Sequence, residues 1–178
     1  MSSKTIKRRT LFIIDIIIIV TGLVLDRLSK IYALKNLKDH PSVSVISGYL
    51  ELHYLENTGA AFGFLKNQKS FFILVGFVIL VACFYAMFKT PAKKKYIIGH
   101  ILLSMIITGA IGNMADRILY NFVVDFIYVS FVNFPIFNVA DIYITLATIV
   151  AIFVIIFYYK EDDLNFLRFN EKKIRNVD

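Results

Sequence analysis

The chain has 178 residues, of which 58% are hydrophobic, and its mean hydropathy is +0.68. This composition excludes an ordinary soluble protein and is typical of a membrane protein with one domain. The formal net charge of +7 could indicate nucleic-acid binding. However, the positive charges flank apolar segments and no glycine-rich phosphate loop is present, so no nucleic-acid partner is expected. The single cysteine, Cys83, excludes an intramolecular disulfide.

Four apolar segments follow one another along the chain, at residues 10–28, 70–88, 96–115 and 141–159. Each approaches the roughly 20 residues that a helix needs to cross a hydrocarbon layer roughly 30 Å thick. Because backbone groups find no water in that layer, continuous apolar runs predict helices. We therefore predict an all-α membrane protein with four transmembrane helices in residues 1–160, followed by a charged cytoplasmic tail in residues 161–178.

The basic residues predict how these helices are oriented. The first segment follows a basic stretch, as in a signal peptide, but no small-residue cleavage site follows it, so we interpret it as a retained anchor. Thirteen of the 20 Lys and Arg residues lie before this segment, in the sequence KTPAKKK, or from Lys160 onward. Because Lys and Arg mark cytoplasmic loops, both termini are predicted to be cytoplasmic.

The two remaining connections are then predicted to lie on the outer face. Residues 29–69 alternate between apolar and polar types around a Ser-Gly pair, which predicts a small extracytoplasmic β-hairpin or sheet region. Residues 116–140 are mostly apolar. Four parts of the chain bring polar residues to this one depth: Asp26, Lys30, Asn57, Asn113, Asp116, Arg117, Asp125 and Asp141.

Small and polar residues also recur on single helix faces. The third segment has the longest such stripe, which consists of His100, Ser104, Thr108, Gly112 and Asp116. Shorter ones occur in the first segment (Gly22, Asp26 and Ser29) and in the fourth (Asp141, Thr145 and Thr148). Stripes of this kind usually face other helices, so helix packing is their simplest interpretation.

The charged residues at the helix ends have a structural interpretation as well. Asp26 with Arg117, or Asp116 with Lys30, could form interfacial ion pairs, since an ionisable residue in a membrane helix needs a partner. Asp15, near the cytoplasmic end of the first segment, has no evident partner in the sequence.

Several kinds of catalytic chemistry lack the residues that they need. No G-x-S-x-G sequence is present, the three histidines are scattered, H-E-x-x-H is absent, and Cys83 has no obvious base. No metal site is therefore expected. Carboxylate chemistry remains, because Asp125 and Asp141 lie in apolar surroundings, where two neighbouring carboxylates share a proton. Such a pair can activate water and protonate a leaving amine.

Five short sequences in this order identify a family resemblance: DRLSK (26–30), NTGAAFG (57–63), GNMADR (112–117), VVDF (123–126) and FNVAD (137–141). Together they resemble the motifs of the bacterial lipoprotein signal peptidases, or signal peptidase II. The resemblance extends from the first segment to the start of the fourth. It implies an aspartic peptidase of the bacterial cytoplasmic membrane that cuts prolipoproteins just before a diacylglyceryl-cysteine, without a cofactor, and that is inhibited by globomycin.

The resemblance also implies roles for single residues. Asp125 and Asp141 match the catalytic pair, and Asp26 with Lys30 matches a supporting pair near the site. Polar residues that line the site and hold the substrate backbone are matched by Asn57, Asn113, Arg117 and Asn138. One departure concerns Ile142, where the family usually has Ser; the lost hydroxyl puts the hydrogen bonding of Asp141 in question.

Two other functions are compatible with a small polytopic membrane protein. In a proton-coupled transporter the aspartates would carry protons, but binding residues would then be expected near the bilayer midplane and not at one end. In a non-catalytic assembly factor the charges would form ion pairs only. Neither alternative predicts cleavage of a prolipoprotein.

Overall fold

The computed structural model of the chain describes residues 5–59 and 68–167. Its four α-helices are α1 (Arg8–Asn36), α2 (Lys69–Lys89), α3 (Ile97–Tyr120) and α4 (Val139–Phe153). A π-helical turn, Val154–Tyr158, continues α4, and short 3-10 helices lie at Lys94–Tyr96, Ser130–Val132 and Glu161–Leu167. The predicted sequence NTGAAFG and the predicted tail lie partly outside the described residues, at 60–63 and 168–178.

A three-stranded antiparallel sheet lies beside the helices, with strand order β1 (Val43–Ile46), β2 (Leu50–Asn57) and β3 (Val123–Val129). The predicted hairpin is confirmed, since β1 and β2 pair across a turn in which Gly48 has φ +74°. The third strand was missed. Its first four residues, VVDF, are all buried, so they lack the regular alternation of apolar and polar residues that marks a half-buried strand.

Three of the helical stretches are long and apolar enough to cross a membrane: Lys69–Lys89, Lys94–Tyr120 and Val139–Tyr158. Helix α1 has the length, with 29 residues, but its apolar part is interrupted by Asp15, Asp26 and Arg27. Composition thus supports three of the four predicted spans.

Helix α1 is also longer than predicted at its carboxyl end. Ala33 and Leu37 are buried there against Val124 and Phe126 of β3. This apolar cluster fixes the sheet to the carboxyl end of α1. As a result, β3 lies next to the ends of the helices that carry the predicted polar residues.

Helix α3 lies at the centre of the bundle, because α1, α2 and α4 all pack on it. The predicted stripe of α3 is confirmed as a packing face, since His100, Ser104, Thr108, Gly112 and Asp116 are all buried. The corresponding prediction for α4 is wrong for two residues: Thr145 and Thr148 are exposed.

A buried polar contact joins α1 to α3 and supplies the partner that the sequence did not reveal for Asp15. The Asp15 Oδ2 atom lies 2.9 Å from Nδ1 of His100, and the hydroxyl of Ser104 donates to Asp15 Oδ1 at 3.2 Å. All three side chains are buried. His100 is therefore an interior histidine whose partner is structural.

Close packing of α3 on α4 requires glycine at position 109. A Cβ atom there would lie 2.4 Å from the Ala140 carbonyl oxygen and 2.6 Å from Ile144 Cγ1. The obstacle includes backbone, which cannot rotate out of the way. The start of α4, and with it Asp141, can therefore lie this close to α3 only because residue 109 has no side chain.

We predict that Gly109→Ala lowers the thermal unfolding midpoint, Tm, by several degrees in detergent. Overpacking of this kind costs about 1–3 kcal/mol, which exceeds the gain in helix propensity of at most about 1 kcal/mol. Differential scanning fluorimetry of the purified protein measures the shift.

Gly76→Ala in α2 is the matched control. The nearest atom to a Cβ at position 76 is the Met114 sulfur at 3.7 Å, an ordinary contact. Its Tm should stay level or rise slightly. Equal shifts in Tm for the two variants would show that the packing of α3 on α4 does not require glycine at position 109.

Candidate active site

Asp125 is a buried carboxylate at the centre of β3. Its Oδ2 atom accepts a hydrogen bond from Asn57 Nδ2 at 2.7 Å, and its Oδ1 atom accepts one from Asn138 Nδ2 at 2.6 Å. Asn57 ends the neighbouring strand β2. Both oxygens of Asp125 are therefore oriented by amide donors.

The connection after β3 turns back and brings the start of α4 beside Asp125. Asn133 adopts a left-handed conformation with φ +50°, and the chain then pairs with the strand that it has just left. The Phe137 carbonyl accepts hydrogen bonds from the backbone N–H groups of Phe126 at 3.0 Å and Ile127 at 2.9 Å. This return places Asn138 and Asp141 next to β3.

Asp141 lies in the first turn of α4, where Asn138 is the N-cap. The Asn138 side chain accepts from the Asp141 N–H at 3.1 Å, and Asp141 Oδ2 accepts from the Asn138 N–H at 3.1 Å. This reciprocal capping box satisfies two N–H groups of the helix start. It also fixes the Asp141 carboxylate at the positive end of the helix dipole.

Two amides connect the carboxylates to each other. Asn138 Nδ2 donates to Asp125 and also to Asn113 Oδ1 at 3.1 Å. Asn113 Nδ2 in turn donates to Asp141 Oδ1 at 2.7 Å. Asp125 and Asp141 thus belong to one hydrogen-bonded network, although they come from a strand and a helix.

A buried ammonium group anchors this network. Lys30 is 1% exposed, and its Nζ atom contacts Asp26 Oδ2 at 2.9 Å, Asp116 Oδ2 at 2.9 Å and Asn113 Oδ1 at 3.1 Å. Its three N–H donors therefore have three acceptors. Of the two ion pairs suggested by sequence, Lys30 with Asp116 is present, whereas Asp26 pairs with Lys30 instead of Arg117.

The acceptors of Lys30 reach the elements that carry the aspartates. Asp26 Oδ1 accepts from the backbone N–H of Ala140, next to Asp141, at 3.1 Å. Asp116 Oδ2 accepts from the N–H of Val124, next to Asp125, at 3.5 Å. Gly112 makes room for Asp26, since a Cβ there would lie 2.6 Å from Asp26 Oδ2.

The carboxylates open into a cavity of about 470 Å³ between α2, α4 and the sheet. Its lining includes Asn57, Gly59, Phe72, Arg117, Asp125, Phe134, Phe137, Asp141, Ile142, Thr145 and Leu146. A few polar groups thus converge in a largely apolar wall, as is usual for ligand sites. Ile142 forms part of this wall, and the oxygens of Asp141 have donors in Asn113 and Asn138 without a hydroxyl at position 142.

Arg117 is held at the edge of this cavity without an acidic partner in direct contact among the described residues. Its Nη1 atom donates to the Asn113 carbonyl at 3.2 Å and its Nη2 atom to the Gly59 carbonyl at 3.3 Å. The guanidinium carbon lies 4.7 Å from the centre of the Phe72 ring. The guanidinium group therefore already binds backbone carbonyls, as it would in holding a peptide.

Burial, together with the neighbouring Asp141 carboxylate, raises the pKa of Asp125 to about 7. The hydrogen bonds from Asn57 and Asn138 act in the opposite direction but do not offset the burial. A carboxyl with this pKa can hold a proton at neutral pH, as a carboxylic acid must in order to act as a general acid.

All eight predicted site residues lie in or directly beside this network. Sequence reasoning missed Phe72 as a cavity-lining residue, since nothing in its local sequence marks it. It also gave no role to Gly59, although Gly59 lies within the NTGAAFG motif. Asp116 was predicted as a member of the α3 stripe and as an ion-pair partner of Lys30, but not as a site residue. Its four-residue spacing from Gly112 on the stripe of α3 is the signal that places it near the site. No group of three His, Cys, Asp or Glu residues suited to a metal occurs within 5–59 and 68–167.

Comparisons with known proteins point to one family. Residues 17–157 match the family described as Signal peptidase (SPase) II. A lipoprotein signal peptidase of Clostridium tetani is 43% identical over 151 residues, covering 83% of this chain and 94% of that protein. A lipoprotein signal peptidase of Caldanaerobacter subterraneus subsp. tengcongensis is 41% identical over 143 residues, covering 80% and 95%.

Solved structures show the same fold. A bacterial membrane enzyme solved by the in meso method at 2.3 Å resolution superimposes with a TM-score of 0.74 at 30% identity, covering 90% of this chain and 98% of that one. A second, solved by the same method at 1.9 Å, gives a TM-score of 0.71 at 29% identity, covering 89% and 99%.

We predict that Lys30→Met strongly destabilises the protein, by about 3–5 kcal/mol, because it leaves buried acceptors without their cation. Lys38→Met is the control: Lys38 Nζ lies 2.9 Å from Glu56 Oε1, but both side chains are exposed, and solvent screens such pairs. Thermal unfolding should therefore shift far more for Lys30→Met. Similar shifts in the two variants would contradict the anchoring role of Lys30.

Proposed function

Because the chain belongs to the signal peptidase II family, a family of membrane proteases, we propose that it removes signal peptides from prolipoproteins as an aspartic endopeptidase. The observation that carries the catalytic assignment is the network of Asp125 and Asp141. Asn138 donates to Asp125, Asn113 donates to Asp141, and the two amides are hydrogen-bonded to each other. Both carboxylates line one cavity. No other pair of carboxylates in the described residues lines that cavity.

In the proposed reaction the pair begins with one proton. The ionised carboxylate accepts a proton from a water molecule, whose oxygen attacks the carbonyl carbon of the scissile peptide bond. The protonated partner donates its proton to the carbonyl oxygen as the tetrahedral intermediate forms. When the intermediate collapses, the C–N bond breaks and the leaving nitrogen takes the proton that the first carboxylate gained from water. A hydroxyl proton of the intermediate returns to the partner, which restores the pair. The raised pKa of Asp125 favours Asp125 as the protonated partner.

The remaining site residues position the substrate in this proposal. Arg117 and Asn57 face the cavity and hold backbone carbonyls of the peptide, while Asn113 and Asn138 orient the two carboxylates. Asp26 and Lys30 support the network from behind. The bond to be cut lies just before a diacylglyceryl-cysteine, whose acyl chains remain in the surrounding lipid.

The location of the site supports this substrate class. All four helices cross the membrane in the proposed topology, including α1, which has a broad exposed apolar face from Ile13 to Leu28. Both termini are cytoplasmic, and the carboxylates lie near the outer face of the bacterial cytoplasmic membrane. A lipid-anchored cysteine at that depth would reach the cavity without leaving the bilayer.

The direct test is incubation of the purified protein with a diacylglyceryl-modified prolipoprotein, with and without globomycin. Cleavage just before the modified cysteine, blocked by globomycin, is expected. An unmodified prolipoprotein is the control substrate. Failure to cut any modified prolipoprotein under conditions in which a relative does so would refute the function.

We predict that Asp125→Asn and Asp141→Asn each remove almost all cleavage, and that the double variant is little worse than either. Groups that act as one catalytic unit are strongly non-additive. Initial rates with saturating substrate, measured on folded, membrane-inserted protein, provide the test. Near-normal turnover in either single variant would eliminate the pair as the catalytic machinery.

The pH profile offers a second measurement on the same pair. Cleavage should fall above about pH 7, because Asp125, whose pKa is raised to about 7, then loses the shared proton. It should also fall at acidic pH, where both carboxyls are protonated, and the two apparent values belong to the pair. A rate that keeps rising well above pH 7 would contradict the shared proton.

We predict that Arg117→Lys markedly lowers cleavage while the protein still folds and inserts. Lysine keeps the charge but lacks the planar pair of donors that binds carbonyl oxygens. The loss should appear mainly in KM, because Arg117 binds substrate and does not transfer protons. Unchanged cleavage together with unchanged globomycin sensitivity would leave Arg117 a structural role only.

We predict that a reporter fused after Lys160 lies in the cytoplasm and that one inserted beside Pro41 lies outside. Thirteen of the 20 basic residues are on the proposed cytoplasmic side, and such residues set orientation. Cysteine accessibility to a membrane-impermeant reagent measures both positions in intact cells. An externally accessible tail would overturn the four-span topology.

A further inference from the structure

A groove runs along α3 between α2 and α4. Both helices pack on α3, and they make few contacts with each other in the part of the chain that the structure describes. One stripe of α3, with steps of three and four residues, follows the groove: Gly99, Leu103, Ile106, Ala110, Asn113 and Arg117. The eighteen-residue distance from Gly99 to Arg117 corresponds to about 27 Å of helix.

At each end of this stripe a cavity is lined by residues of both α2 and α3. The active-site cavity includes Phe72 and Arg117. The second cavity, of about 140 Å³, includes Ala86 and Thr90 of α2 and Gly99 of α3. On α2 the residues from Phe72 to Thr90 that share a face (Phe72, Gly76, Ile79, Cys83, Ala86 and Thr90) again follow steps of three and four.

The end of the groove away from the aspartates is covered by the short helix Glu161–Leu167. Leu164, Phe166 and Leu167 of this segment line the second cavity together with α2, α3 and α4. The Phe166 ring contacts the edge of Tyr96, with ring centres 5.5 Å apart. The segment therefore packs directly on the helices that form the groove.

Polar contacts hold the segment in this place. The Tyr96 hydroxyl donates to the Asp163 carbonyl at 3.0 Å, and the Asp163 carboxylate forms an ion pair with Lys95. Asp163 Oδ2 also accepts from the Lys160 N–H at 2.8 Å, which caps the start of the segment. The family match covers residues 17–157, so the segment lies outside the match, whereas its partners Lys95 and Tyr96 lie within it.

The groove is long enough to hold the apolar region of a signal peptide as a helix. A signal peptide has an apolar region of about 7–15 residues after a basic start, which as a helix is about 10–22 Å long. If the bond to be cut lies at Asp125 and Asp141, this region extends from the active-site cavity toward Gly99. Thr145 of α4 lines the active-site cavity, where that path begins.

We propose that the segment Glu161–Leu167 is the floor of the signal-peptide groove and limits the length of the apolar region that the enzyme accepts. The proposal rests on the proposed function. An apolar region of about 12 residues, about 18 Å as a helix, ends before the floor, whereas one of about 20 residues, about 30 Å, meets Phe166 and Leu167.

The first test is site-specific photocrosslinking in the full chain. Benzoylphenylalanine replaces Phe166, and Asp141→Asn prevents cleavage of the bound prolipoprotein. A crosslink to a modified prolipoprotein with a 20-residue apolar region is expected, and none to one with 12 residues. Benzoylphenylalanine at Asn165, which is exposed on the same segment, is the matched control and should give no crosslink with either substrate.

The second test compares kcat/KM for the same two substrates. The unmodified protein should cut the long substrate less efficiently than the short one. The double variant Phe166→Ala with Leu167→Ala should improve cleavage of the long substrate by about tenfold, the order expected when a pocket stops excluding extra methylenes. Cleavage of the short substrate should not change, and Asn165→Ala should alter neither.

The outcomes separate this proposal from a structural role and from the proposed function itself. If the double variant has a lower Tm, and its kcat/KM falls by the same factor for both substrates, the segment only stabilises the bundle. Equal crosslinking from benzoylphenylalanine at Phe166 and at Asn165 would also contradict the proposal that this segment is the floor of the groove. In both cases prolipoprotein cleavage persists, whereas failure of the proposed function removes cleavage of every substrate by the unmodified protein.

Discussion

The arrangement of the site depends on one buried positive charge. An ammonium group removed from water has lost several kcal/mol of solvation, which only close, well-directed acceptors recover. Lys30 finds three of them, on α1 and α3. Each acceptor holds a further group: Asp26 binds the start of α4, Asp116 binds β3, and Asn113 binds Asp141. The cation therefore determines where both catalytic candidates lie.

The apolar surroundings of Asp125 raise its pKa, whereas the charge of Lys30 lowers it. The balance of the two effects determines how readily Asp125 holds a proton. Full neutralisation by a cation in contact would keep Asp125 ionised. Instead, amides contact Asp125 and the cation lies behind Asn113. Amides orient a carboxylate without adding charge, so burial still raises the pKa of Asp125 to about 7. This separation explains why asparagine, and not a basic residue, occupies positions 57, 113 and 138.

The sequence predicted those parts of the molecule that depend on local pattern. Apolar runs indicated the helices, the Ser-Gly turn indicated the hairpin, and the spacing from His100 to Asp116 indicated the packing face of α3. Strand β3 was not predicted, because it is buried on both faces and alternates poorly. The partner of Asp15 was not predicted either, since His100 is 85 residues away in sequence and no local rule joins the two. The short motifs identified the site residues, but only the return of Phe137 onto β3 shows how Asp125 meets Asp141.

In the proposed four-span topology, helix α1 shows why hydropathy alone underestimates the number of spans in such a protein. The charged residues that distinguish α1 from the three apolar helices form its polar contacts with the rest of the molecule. Asp15 binds α3 near one end, while Asp26 and Lys30 hold the site at the other. Between and around them, Ile16, Ile17 and Val20 are exposed, as expected of a surface in lipid. A helix that must both face lipid and fix a catalytic network cannot be uniformly apolar, and its polar residues lie on the face turned toward α3.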